Sequence, residues 1–131
     1  DGLDEIATVG KTIVSHLRDG EIKTFETVPR DFGIKQSNIE DLQGATPQEN
    51  AEILFKILSG KVCEDDPKSE IVLINSAAAI IVGGRAPDFK CGLEIVRESL
   101  RSGAAYKKLG ALVRVSGGDL SKLEEFERKY E

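Results

Sequence analysis

The chain has 131 residues, 40% hydrophobic and 31% charged, with 18 Lys+Arg against 23 Asp+Glu for a formal net charge of −5. That length supports one domain, with a core that hides roughly two-thirds of the unfolded surface and needs no staples. The acidic balance argues against a nucleic-acid surface, which needs a basic excess. No apolar run reaches the roughly 18 residues of a membrane span, and no basic stretch leads into an apolar one as in a secretory signal.

The first element in chain order is a hairpin. Thr12 to Arg18 is rich in β-branched residues, Asp19-Gly20 is a favoured pair for a type I′ turn, and Glu21 to Val28 reads as the return strand. Ile13 and Leu17 share a face with Ser15 between them, and the alternating polar residues of the return strand predict one face at least partly wet. His16 reads as a strand histidine at the sheet surface, since no catalytic partner for it is visible. Pro29 ends the strand, and residues 30–34 read as a loop. Asp31-Phe32-Gly33 spells the kinase metal triplet, but no glycine-rich loop or H-R-D accompanies it, so the triplet carries no kinase reading.

Thr46-Pro47-Gln48-Glu49 combines an N-cap, a proline at the first helical position and a capping-box glutamate. It predicts a helix over 47–59, with Ala51, Leu54 and Leu58 on its apolar side, Ile53 and Ile57 beside them, and Gly60 as the stop. Glu64-Asp65-Asp66-Pro67 reads as a solvated acidic turn. Residues 71–82 form a nearly continuous apolar run. Its length, with Ser69 and Glu70 as a start, favours a buried helix whose alanines admit a close neighbour. Phe89, Leu93, Val96 and Leu100 predict a further helix closed by Gly103. Ser102 is the expected cap of the next, which carries Ala105, Leu109, Leu112 and Val113. Asp119 through Tyr130 reads as a last amphipathic helix with Leu120, Leu123 and Phe126–Tyr130 as its apolar side. The expectation is an α/β chain: a β-hairpin region over 1–28, then a mainly helical region over 46–131 with about five helices.

Cys63 and Cys91 stand in no C-x-x-C pair and have no histidine cluster nearby, so zinc is not indicated; two lone cysteines fit a reducing cytoplasm. Gly83-Gly84 and Gly117-Gly118 lack the spacing of a phosphate-cradling loop. The remaining candidate chemistry is the acidic pair Asp4-Glu5, after Gly2-Leu3. Neighbouring carboxylates on a regular strand point to opposite faces. On a glycine-preceded loop they can converge on a hard cation, and Mg²⁺ suits such a pair because it keeps waters and is shared with substrate phosphates. The bland alternative is a solvated acidic terminus. No Met occurs in the chain, which predicts a piece of a longer protein.

A resemblance favours the metal reading. Asp1-Gly2-Leu3-Asp4-Glu5 resembles the D-G-L-D-E motif of the anthranilate phosphoribosyltransferase family, and Pro29 to Gly33 resembles its P-x-D-F-G segment. Gly44 to Gly60 resembles its E-N-A helix, Ile71 to Ala79 its V-L-L-N-A-A-A-A helix, and Glu94 to Leu109 its following segment. The likeness runs in order through roughly residues 1–112; the tail from 117 on has no clear place in it.

The resemblance implies transfer of a phosphoribosyl group from phosphoribosyl pyrophosphate to anthranilate, in tryptophan biosynthesis, with Asp4 and Glu5 as ligands of Mg²⁺ and a homodimeric parent. The family's glycine-rich loop, its N-x-S-T and K-H-G-N-R stretches and its anthranilate-binding arginine all precede D-G-L-D-E. They are absent here. The chain then corresponds to the C-terminal part of the catalytic domain, holds none of the catalytic residues, and is expected to be inactive alone. Its open strand edges predict self-association. The alternatives are a fragment of a pyrimidine nucleoside phosphorylase-like enzyme and a non-catalytic interaction domain.

Overall fold

The computed structural model describes residues 2–63 and 65–131. Asp1, which opens the D-G-L-D-E motif, and Glu64, first acid of the expected acidic turn, lie outside the described residues.

Strands β1 (Thr12–Arg18) and β2 (Glu21–Thr27) pair antiparallel, in register from Thr12 opposite Thr27 to Arg18 opposite Glu21. The turn works as the sequence requires: Asp19 and Gly20 hold φ of 53° and 81°, the left-handed pair of a I′ turn. One face of the hairpin is wet, as expected. That face also carries Ile13, Leu17 and Ile22, each about two-thirds or more exposed. His16 lies on the opposite face, half-buried, across from Lys23.

Residues 30–34 were expected as loop, but a 3₁₀ turn, Pro29–Phe32, takes up the first part of that stretch. Asp31 has a structural task there. Its carboxylate accepts hydrogen bonds from the Val28 N–H at 2.9 Å and the Thr27 hydroxyl at 3.3 Å, and Gly33 at φ 70° ends the turn. A single-turn helix, α1 (Ile39–Leu42), was also unexpected; Asp41 reaches back to the Asn38 N–H at 3.2 Å. One turn is too short to display a period, which is why six α-helices stand among the described residues where about five were expected.

The longer helices follow their caps. In α2 (Pro47–Leu58), Thr46 Oγ1 accepts from the Glu49 N–H while the Glu49 carboxylate accepts from the Thr46 N–H at 3.0 Å and hydroxyl at 2.6 Å; these bonds lower the Glu49 pKa. Helix α3 (Pro67–Val82) begins before Ser69. Asp66, read as part of a solvated turn, is its N-cap, accepting from the Ser69 N–H at 2.8 Å. Helix α4 (Phe89–Arg101) ends with the Ser102 hydroxyl donating to the Glu98 carbonyl at 2.8 Å. The cap of α5 (Ala104–Val115) is therefore Gly103, not Ser102. In α6 (Leu120–Lys129) Asp119 caps the Ser121 N–H at 2.9 Å.

The chain divides into two compact units, Asp1–Gln43 with Asp65–Leu93, and Gly44–Glu64 with Glu94–Glu131. In the first, Ile6, Ile34 and Ile74 form a core joined by Phe32, Ala78 and Phe89, with the two phenylalanine rings 4.6 Å apart. The expected close approach at the α3 alanines is met by glycine: a Cβ on Gly92 would sit 3.1 Å from both Cβ and O of Ala77.

In the second unit, α2, α5 and α6 surround Phe55, 1% exposed, whose ring meets Tyr106 at 5.6 Å, Phe126 at 5.5 Å and Tyr130 at 6.0 Å. This corrects the expected apolar face of α2. Phe55 and Ile57 are buried, whereas Leu54 is 47% exposed and Ala51 is exposed. The aromatic partners come from α5 and α6, so they, not the helix's own spacing, decide which side turns inward. At the edge of this cluster the Glu52 carboxylate accepts from Lys129 at 2.8 Å and from the Tyr130 hydroxyl, and lies 3.1 Å from Lys56.

Cys63 and Cys91 are free. Among the described residues no helix is long and apolar enough to cross a membrane.

Candidate metal centre

Gly2 to Glu5 are exposed, while Ile6, Ala7 and Thr8 are buried at 7%, 2% and 0%. The boundary falls between Glu5 and Ile6. Beyond it the backbone is tied at every step. Ile6 exchanges hydrogen bonds with the side-chain amide of Asn75 in α3: its N–H donates to Oδ1 and its carbonyl accepts from Nδ2, both at 2.9 Å. The Ala7 N–H donates to Thr12 Oγ1 at 3.0 Å, the Thr8 carbonyl accepts from the Ser37 N–H at 2.9 Å, and the Val9 carbonyl accepts from Gln36 Nε2 at 2.9 Å. Asp4 and Glu5 thus stand on a fixed base.

The base is also strained. Glu5 holds φ at 65°. For a non-glycine residue that left-handed geometry costs on the order of 1–2 kcal/mol, and it persists only where the surroundings over-determine it. Three residues on, the Thr8 hydroxyl is buried with no hydrogen-bond partner among the described residues, a further cost of about 1–3 kcal/mol. The positive φ at Glu5 and the unpartnered Thr8 hydroxyl thus both lie beside the exposed acidic pair.

The donor set decides which cation fits. Among the described residues no three His, Cys, Asp or Glu side chains gather as a cage. Exposed carboxylates such as Asp4 and Glu5 suit hard cations, and of these Mg²⁺ keeps several waters and is commonly shared with substrate phosphates. His16 belongs to another place. It lines an open cleft of about 610 Å³ with Arg18, Val82, Arg85 and Pro87, and neither Asp4 nor Glu5 lines that cleft.

The sequence singled out the carboxylates but not the contact of Asn75 with Ile6; Asn75 appeared only as one letter in a matching run. The available signal was its polarity: it is the sole amide in the run Ile71 to Val82.

Comparison with known proteins agrees with the motifs. Residues 1–106 match the glycosyl transferase family, a/b domain. The chain belongs to that family. Among curated relatives, the anthranilate phosphoribosyltransferase of Methanobrevibacter smithii is 46% identical over 109 residues, 83% of this chain and 32% of that protein. The enzyme of the same name from Parvibaculum lavamentivorans is 40% identical over 118 residues, 90% of this chain and 34% of that protein. Among solved structures, anthranilate phosphoribosyltransferase from Saccharomyces cerevisiae in complex with PRPP and Mg superposes with a TM-score of 0.73 at 33% identity, over 82% of this chain and 30% of that one. The Thermus thermophilus enzyme gives 0.75 at 30% identity, over 87% and 33%. The chain spans about a third of the length of the curated relatives it matches.

Proposed function

We propose that this chain is the C-terminal portion of the catalytic domain of an anthranilate phosphoribosyltransferase, and that Asp4 and Glu5 hold the Mg²⁺ that accompanies phosphoribosyl pyrophosphate. The observation that carries the reading is the exposed acidic pair, with Glu5 at positive φ, next to the tied segment that starts at Ile6, in a chain whose solved yeast relative was captured with PRPP and Mg. Asp4 and Glu5 would each offer carboxylate oxygen to the cation. The tied segment Ile6 to Val9 fixes where those oxygens can reach, so the pair meets the cation without first paying to order a flexible loop. When bound, such an ion stabilises the negative charge that grows on the departing diphosphate. The remaining substrate contacts belong to the two-thirds of the protein outside this chain. The whole protein is expected to be a cytoplasmic homodimer, and the isolated 131 residues to self-associate through the open hairpin edges.

The test is the whole protein, supplied with phosphoribosyl pyrophosphate, anthranilate and Mg²⁺. Turnover is expected, and Asp4→Asn with Glu5→Gln should lower kcat/KM by on the order of a hundredfold or more and flatten its Mg²⁺ dependence. Absence of turnover, or unchanged kinetics in the double variant, overturns the reading. The 131 residues alone should show none.

A further inference from the structure

We propose that Asn75 is a positioning residue for the metal carboxylates, acting through the backbone of Ile6; the inference rests on the reading of Asp4 and Glu5 as magnesium ligands. Asn75 meets the loop at the residue that follows Glu5, from 69 positions away in the sequence. Both of its N–H donors are used and its oxygen accepts one bond. Oδ1 faces the Ile6 N–H, while Nδ2 donates both to the Ile6 carbonyl and to the Ile71 carbonyl one helical turn earlier, all at 2.9 Å. The bond to Ile71 fixes the side chain against its own helix before it touches the loop. The two bonds to Ile6 then grip one residue by both its donor and its acceptor, as a neighbouring strand would.

The chemistry of that grip is specific to asparagine. Asp in the same place would set a carboxylate against two carbonyl oxygens. Ser is too short to span an N–H and a C=O of the same residue. Gln would carry the amide one methylene too far. The grip holds the peptide unit into which Glu5, at φ 65°, leads. Releasing it frees that residue to return to an ordinary conformation, and with it the direction in which Asp4 and Glu5 project. The burial of Ile6 and Ile74 in the same core anchors both ends of the contact.

The experiment uses the whole protein with three variants: Asn75→Asp, Asn75→Ser and, as reference, Asp4→Asn with Glu5→Gln. Binding of phosphoribosyl pyrophosphate with Mg²⁺ is measured by calorimetry without anthranilate, so no turnover is needed, and thermal unfolding is followed in parallel. Outer partners of metal ligands typically contribute 10–100-fold to metal affinity. Both Asn75 variants should therefore weaken binding by roughly tenfold or more and raise the Mg²⁺ concentration for half-maximal rate in step, with the KM for anthranilate unchanged. Asn75→Ser keeps a small helix residue that can still bond the Ile71 carbonyl, so it separates loss of the loop contact from loss of the helix. If the reference variant loses binding while folded Asn75 variants bind within twofold of the parent, the positioning role falls and the metal reading stands. If the reference variant also binds normally, the metal reading itself falls. If both Asn75 variants unfold, the residue serves the fold and the proposal falls.

Discussion

Phe55→Ala is the sharpest test of how the helical unit is held. Phe55 is 1% exposed and its ring faces three others, from Tyr106 in α5, Phe126 in α6 and Tyr130 just beyond α6, at 5.5–6.0 Å. Truncating a buried phenylalanine removes its transfer free energy and leaves a cavity, together about 3–5 kcal/mol. Because the walls of that cavity are rings from two other helices, the upper half of the range is expected. Replacement by Leu keeps most of the apolar volume and loses the ring geometry, for which each aromatic pair contributes about 0.5–1.5 kcal/mol; a loss of about 1–2 kcal/mol is expected, since three pairs sharing one ring do not add independently. Urea unfolding of the chain followed by far-ultraviolet circular dichroism measures both. Trypsin adds a local reading, because Lys122, Arg128 and Lys129 are exposed and become cleavable once the α6 backbone unfolds. A Phe55→Ala loss below about 1 kcal/mol, with α6 still protected, would refute the claim that this ring organises the unit.

Two further outcomes follow from neighbouring geometry. The Glu52 pKa is held down to about 2 by hydrogen bonds from Lys129, Tyr130 and Lys56. A carboxylate whose folded pKa lies below its unfolded one contributes stability above the unfolded value near 4.5 and loses it as pH falls toward 2. Cleavage within α6 by an acid-active protease should therefore rise across that window, and Glu52→Gln should abolish the rise; an identical pH profile in the variant would show that Glu52 does not set it. Gly92→Ala should be net destabilising by about 1 kcal/mol, because the new methyl would meet Ala77 Cβ and O at 3.1 Å at a packing cost of about 1–3 kcal/mol that the gain of about 1 kcal/mol in helix propensity only partly offsets; a melting temperature equal to or above the parent's would show that the two helices part easily.

The readings that held from sequence are those settled within a few residues. Asp19-Gly20 set the hairpin because the turn needs two left-handed residues side by side, and Thr46 with Glu49 started α2 because a capping box closes on itself across three positions. The start of α3 and the cap of α5 were misplaced because the Ser69 N–H donates to Asp66, so the helix starts earlier, and because the Ser102 hydroxyl turns back to the Glu98 carbonyl, leaving Gly103 at the cap of α5.

What tertiary structure alone decided are contacts between segments far apart in the chain. Spacing on α2 favoured Leu54 as an inward residue. Phe55 took that place because rings from α5 and α6 converge on it, and Leu54 was left 47% exposed. The Asn75 grip on Ile6 is the same kind of fact. An amide in an apolar helix announces that it needs partners, but only the fold brings a backbone N–H and C=O to it from 69 residues away. Periodicity and capping act through the local backbone, whereas burial depends on which surfaces meet, and a single sequence does not record that meeting.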